Sequence, residues 1–118
     1  MELNVGDYVR TKSYGIRKIN GFSSTLEEDF IDCNYNETTN VLINKKEIIK
    51  SNPNIIDLIE VGDYVNKERV CHIEYDENDN LQYIFTGNNY NYALNEDDIK
   101  SVLTHEQFEA MEYKVGDN

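Results

Sequence analysis

The sequence predicts a mainly β protein with short helices, organised as two small tandem modules that pack as one compact unit. Three observations carry this. The word Val5-Gly6-Asp7-Tyr8-Val9 returns unchanged at Val61-Gly62-Asp63-Tyr64-Val65. After each copy come alternating β-branched and aromatic runs, separated by stretches dense in Gly, Asn and Asp. Finally, 118 residues can bury one adequate core or two small ones that lean on each other, whereas one copy of about 57 residues is marginal alone.

The elements follow in chain order. Gly6 and Asp7 suit a tight opening turn, and Val9 then begins a strand whose Arg10 and Lys12 are expected on its outward face. Strands are predicted over Gly15–Ile19 and Phe30–Cys33 in the first copy, and over Arg69–Ile73 and Leu81–Phe85 in the second. Turn residues separate them at Ser13–Gly15, Asn34–Glu37, Asp76–Asn80 and Gly87–Asn89. A second match lies further on: Ile43-Asn44-Lys45-Lys46-Glu47-Ile48 aligns with Leu94-Asn95-Glu96-Asp97-Asp98-Ile99 at an offset of 51, against 56 for the opening word. A short deletion therefore separates the copies.

Each module closes on a helical or turn segment. Thr104 and Gln107 have capping-box spacing, predicting a short helix over about residues 105–112. Pro53 precedes Ile55-Ile56-Asp57-Leu58-Ile59, which suits either a helical turn or a buried strand. These features together predict two barrels of the Src-homology-3-like kind, spanning residues 1–58 and 59–118, packed through Ile55–Ile59 and the terminal helix. The word begins a third time at Val115-Gly116-Asp117, where another module or a last edge strand would start.

Charge narrows the function. The net charge is −12, with residues 1–60 at net −3 and residues 61–118 at net −9. Such a field repels phosphate backbones and anionic membranes and favours a basic partner. No run approaches the roughly 18 apolar residues of a membrane span, and Met1-Glu2-Leu3-Asn4 lacks the features of a secretory signal, so a cytoplasmic location is expected. Cys33 and Cys71 are then expected as reduced, small core residues.

Catalytic and metal motifs are weak. Asp76, Asn78 and Asn80 match the first positions of a calcium loop, but Leu81 and Gly87 stand where Gly and a bidentate carboxylate belong. Cys71 and His72 are strand neighbours pointing to opposite faces, and Cys33 with His105 has no zinc-site spacing, so a surface histidine is expected in both cases. The acidic runs Glu27-Glu28-Asp29 and Glu96-Asp97-Asp98 have no nucleophile or base beside them. The expectation is a non-enzyme with no cofactor and no metal.

Two surfaces remain as candidates. The acidic second module offers Asp76, Glu77, Asp79, Glu96, Asp97 and Asp98 near Tyr75, Tyr83, Tyr90 and Tyr92, a mix of carboxylates and aromatic anchors that suits a basic protein surface. Carboxylates on a small rigid fold can also imitate a phosphate array. The alternative is the basic hairpin of Arg10, Lys12, Arg17 and Lys18 with Tyr8 and Tyr14, which carries the residue types that hold nucleic acid, although the surrounding field opposes it. Open sheet edges would permit a homodimer.

The segments "KEIIKSNPNIIDLIEVGDYVN" (Lys46 to Asn66), "NEDDIKSVLTHEQFEAMEYKVG" (Asn95 to Gly116) and "VGDYVRTKSYGIRKI" resemble small proteins of phages and prophages of low-GC Gram-positive bacteria. The resemblance implies an accessory protein acting in the host cytoplasm and assigns no active site. By analogy, small acidic phage proteins include inhibitors of host defence such as anti-CRISPR proteins, so a basic host or defence protein is the implied partner.

Overall fold

A computed structural model describes residues 2–24, 29–36, 38–79, 81–87 and 93–111. It contains two five-stranded antiparallel sheets. The first holds β1 (Tyr8–Thr11), β2 (Ile16–Ser24), β3 (Asp29–Asn34), β4 (Asn40–Asn44) and β5 (Ile48–Asn52), in the order β4-β3-β2-β1-β5. The second holds β6 (Tyr64–Val65), β7 (Glu68–Tyr75), β8 (Leu81–Thr86), β9 (Ala93–Leu94) and β10 (Val102–Leu103), in the order β10-β6-β7-β8-β9. The two orders are the same when read from the fourth strand to the fifth. Among the described residues both sheets are open, with β4, β5, β9 and β10 as edges.

The shared word makes the same bonds in both places. Gly6 at φ 95° and Gly62 at φ 100° adopt a left-handed conformation that glycine enters without a Cβ clash. Gly6 N–H donates to the Ile19 carbonyl and Gly62 N–H to that of Val70, while Ile19 N–H and Val70 N–H return bonds to Asp7 and Asp63. Each Asp also folds back on its own chain: Asp7 accepts from Asn4 N–H at 3.1 Å and Asp63 from Glu60 N–H at 2.8 Å.

The second match folds alike too. Asn44 and Asn95 cap the 3-10 turns Lys45–Glu47 and Glu96–Asp98, and β5 and β10 follow. The change of offset falls in the first hairpin. Tyr8 pairs with Lys18, ten residues on, whereas Tyr64 pairs with Arg69, five residues on. In the second copy Asn66 and Lys67, both at positive φ, turn the chain at once. The first copy instead carries β1 through to Thr11, where the Thr11 hydroxyl and N–H both donate to the Gly15 carbonyl before β2 returns.

That longer hairpin is an arm reaching the second module. The first core is Val9, Ile19, Ile31, Cys33 and Ile43, and the second is Ile56, Ile59, Val65, Val70 and Ile84. Ile16, from the arm, packs against the second core rather than the first. Burial of each such aliphatic side chain contributes about 1.5–3 kcal/mol. The ambiguous stretch after Pro53 is a 3-10 turn, Ile55–Leu58, which puts Ile56 and Leu58 inside. The predicted helix is α1 (His105–Met111), capped as expected: Thr104 N–H donates to Gln107 Oε1 at 3.1 Å and Gln107 N–H to Thr104 Oγ1 at 3.3 Å. Residue 112 and the third word lie outside the described residues.

Candidate functional site

Arg10 sits at the seam between the modules with none of its side chain exposed. All five guanidinium donors are used. Nη1 donates to Asp63 Oδ2 at 2.6 Å and to the Leu58 carbonyl at 2.8 Å; Nη2 donates to Asp63 Oδ1 at 2.7 Å and to Glu106 Oε2; Nε donates to Glu106 Oε1 at 2.8 Å. Asp63 is equally saturated, accepting also from Glu60 N–H and, at 2.9 Å, from His105 N–H. A buried charge pair tolerates its lost hydration only when its remaining donors and acceptors are satisfied in this way. Burial pulls the Arg10 guanidinium down, but the bonds to Asp63 and Glu106 hold it well above its ordinary value.

A second layer surrounds this pair. Glu60 Oε2 meets Lys50 Nζ at 2.9 Å, and Glu60 Oε1 meets His105 Nε2 at 2.8 Å. Burial pushes the Glu60 carboxyl up, yet His105, Lys50 and Arg10 outweigh it and hold it down to about 2. His105 moves the other way, raised chiefly by its bond to Glu60 against some burial and helped by Glu106. Glu106 is held low: burial opposes ionisation, and Arg10 more than restores it.

Glu60, His105 and Glu106 bring ligand atoms within 4.8 Å of one another, a spacing that could hold a metal ion. Arg10 and Lys50 already occupy those carboxylates, so an incoming divalent cation meets two positive charges it must displace. The geometry is that of a clasp joining the modules.

Beside the clasp the seam opens into a groove of about 550 Å³. It is lined by Lys50 and Asn52 of β5, by Asp57, Ile59, Glu60 and Val61 of the connecting segment, and by His72, Ile73, Tyr75 and Asp79 of the β7–β8 hairpin. Val61 and Tyr75 are exposed, at 50% and 58%.

The structure redistributes the predicted site residues. Arg10, expected on the outward face of its strand, is buried, because the second module covers the arm on which it lies. The basic hairpin is thereby reduced to Lys12 and Lys18, which are exposed, and Arg17, whose Nε donates to the Tyr14 carbonyl at 2.8 Å and whose Nη1 donates to that of Tyr35 at 3.0 Å. Lys18 also leans over the Tyr8 ring, at 5.8 Å from its centroid.

The acidic residues form two groups. Asp76, Glu77 and Asp79 lie in the turn after the C-terminal end of β7, where Asp76 Oδ1 accepts from Asn78 N–H at 2.9 Å and Asp79 adopts φ 62°, the hairpin geometry favoured over a calcium loop. Glu96, Asp97 and Asp98 lie at the opposite end of β7, where Asn66 Nδ2 donates to the Asp98 carbonyl at 2.8 Å. The strand between them has eight residues, or about 25 Å. Asp98 is also a cap, its Oδ2 accepting from Asn95 N–H. Tyr75 lines the groove and Tyr83 faces Glu74 on the adjoining strand, while Tyr90 and Tyr92 lie outside the described residues.

Both cysteines are free. Cys33 is a core residue whose thiol burial pushes up to about 11, with Asp32 adding to the shift; Cys71, expected in the core, is half-buried with its Sγ 3.3 Å from the Phe85 carbonyl. His72 is exposed as expected, but His105 is part of the clasp and no simple surface residue. Asp63, Glu60, Lys50 and Glu106 carried no individual signal beyond the repeated Asp of the word. No helix among the described residues is long and apolar enough to cross a membrane. No family model, curated protein or solved structure matches the chain.

Proposed function

We propose that the protein is a non-catalytic binding module that meets a basic protein surface with the acidic β7–β8 hairpin of its second half. The observation that carries this is the company kept at that hairpin: Tyr75 and Tyr83 are exposed beside the exposed carboxylates of Glu74, Glu77 and Asp79. Exposed tyrosines supply contact area at low entropic cost, and carboxylates around them steer and select a cationic partner. The same strand order in both halves, with a 3-10 turn before each last strand, supports reading each half as a Src-homology-3-like module.

In this reading the chain is a phage-type accessory protein acting in the host cytoplasm. Its basic partner is a host defence nuclease whose cationic channel the carboxylates occupy, as an anti-CRISPR protein would. The nucleic-acid alternative is weaker, because Arg10 is withdrawn from the basic hairpin.

The test is capture from a low-GC Gram-positive lysate at low and moderate salt, with the wild-type chain beside a Glu74→Gln/Tyr75→Ala/Glu77→Gln variant. A basic protein retained in stoichiometric amount by the wild type, released by salt and lost by the variant is the expected result. Equal capture by both chains would remove the hairpin from the account.

A further inference from the structure

We propose that the groove between the modules receives an extended segment of the partner that carries a Lys or Arg side chain next to an aliphatic one. This rests on the protein-binding reading above and gives it a location and a ligand chemistry.

Three features of the groove support it. Its charges are unbalanced: Asp57, Glu60 and Asp79 line it against Lys50, whose ammonium is already held by Glu60 at 2.9 Å. Among the described residues the carboxylates of Asp57 and Asp79 take part in no hydrogen bond or ion pair, so both are available to a cation. The aromatic and aliphatic lining is equally suited, since the exposed Tyr75 is an aromatic partner for a guanidinium or ammonium and the exposed Val61 adds apolar surface to the same groove. Finally, about 550 Å³ falls within the range of specific ligand sites and exceeds what one side chain fills, so the occupant is a segment of chain.

The walls come from both modules. Lys50 and Asn52 belong to the first sheet, and His72, Ile73, Tyr75 and Asp79 to the second. The groove is therefore built jointly by the two modules, which makes the docked pair the binding unit.

The probes are two fluorescein-labelled peptides, Ala-Leu-Lys-Ala-Arg-Leu-Ala and its counterpart with both cations replaced by Gln. Anisotropy is read on the full chain at low and at physiological salt. The expected result is binding of the cationic peptide at least about tenfold tighter than its neutral counterpart, a similar loss in Asp57→Asn/Asp79→Asn and in Tyr75→Ala, and no change in Glu96→Gln/Asp97→Asn. Thermal melts of each variant establish that it is folded.

Unchanged affinity in Asp57→Asn/Asp79→Asn overturns the groove. If affinity falls only in Glu96→Gln/Asp97→Asn, the groove is overturned and the peptide contact moves from the β7–β8 hairpin to the other end of β7. Equal affinity for both peptides overturns the cationic ligand, and a lysate capture that still depends on salt and on the hairpin would leave the broader reading standing without it.

Discussion

Arg10 of β1 and Asp63 of the second Val-Gly-Asp-Tyr-Val word face each other across two hydrogen bonds of 2.6 and 2.7 Å, with neither side chain exposed. They come from different modules, 53 positions apart in the chain. Asp7, the equivalent of Asp63 in the first word, folds back on Asn4 in the same way. Only the second copy of the word has an arm laid against it, and the same aspartate there becomes an anchor.

Breaking this pair from either side should be costly, because the survivor is left charged and buried. Arg10→Met and Asp63→Ala are each expected to lose about 3–5 kcal/mol by urea denaturation. The double variant should lose less than the sum of the two. Additive losses would mean that the residues act separately. Arg10→Lys should recover only part of the stability, since an ammonium cannot reproduce the two-pronged contact with Asp63 and the further bonds to Glu106 and Leu58.

The outer layer of the clasp predicts a stability maximum in mildly acidic solution. His105 is raised above 6.5 by Glu60, so its contribution is complete below pH 6.5 and is lost as pH rises through the raised value. Glu60 is lowered from 4.5 to about 2, so its contribution is complete above pH 4.5 and is lost as pH falls toward 2. Calorimetry from pH 2 to 9 should show the melting temperature highest between about 4.5 and 6.5. Each limb should amount to a few degrees, because the two side chains remain 35% and 36% exposed and water screens the pair. Other groups near His105 are Glu106, Glu109, Asp63, Arg10 and, through Glu60, Lys50. Self-repulsion in a chain of net charge −12 also grows with pH, so His105→Gln is the control. It should flatten the part of the alkaline limb that is local to the clasp and shrink the acid limb, which Lys50 and Arg10 then sustain without His105.

Much of this architecture was legible because it is locally written. The word, its glycine turn, the repeated match at residues 43–48 and 94–99, and the Thr104–Gln107 box are each short local patterns, and short-range hydrogen bonds decide them. Arg10 was misread for the complementary reason. A cation next to Lys12 on an alternating strand reads as solvent-facing, and what buries it is a module half the chain away. One signal did mark the place: the offset between copies drops from 56 to 51, and the five extra residues are in the hairpin that carries Arg10. The acidic surface divided for a related reason. Residues 76–79 and 96–98 are turns at opposite ends of β7, and composition does not say which end a turn occupies.

Gly15 at the tip of the arm tests the contact with α1. It adopts φ 73° and is buried, and a Cβ there would overlap the Gln107 amide that caps the helix. Gly15→Ala should therefore lose about 1–2 kcal/mol from backbone strain and a further cost of order 1 kcal/mol from the displaced cap. The partner change Gln107→Ala relieves the overlap but sacrifices the cap. The double variant should then be no less stable than Gly15→Ala alone in thermal melts. A markedly less stable double variant would mean that the arm and the helix are not in contact there.

Shortening the arm is the sharpest test of how the two modules are joined. Replacing residues 10–16 with the dipeptide Asn-Lys gives the first hairpin the turn that the second copy uses at Asn66 and Lys67. The pairs Tyr8–Lys18 and Val9–Arg17 survive this change, as do Tyr8–Asn52 and Val9–Ser51, so the first sheet keeps its central ladder. What disappears is the whole reach of the arm: the Arg10 bonds to Asp63 and Glu106, the packing of Ile16 on the second core, and the contact of Gly15 with Gln107. Asp63 is then left buried beside Glu60 and Glu106 with no guanidinium, and carboxylate repulsion should drive the modules apart. The expected outcome is two unfolding transitions in place of one, and a radius of gyration in solution larger than that of the intact chain, whose Cα value is 15.6 Å. Retention of a single cooperative transition at unchanged size would show that the connecting segment Ile55–Ile59 is sufficient to hold the modules together, and that the arm is an accessory to their docking.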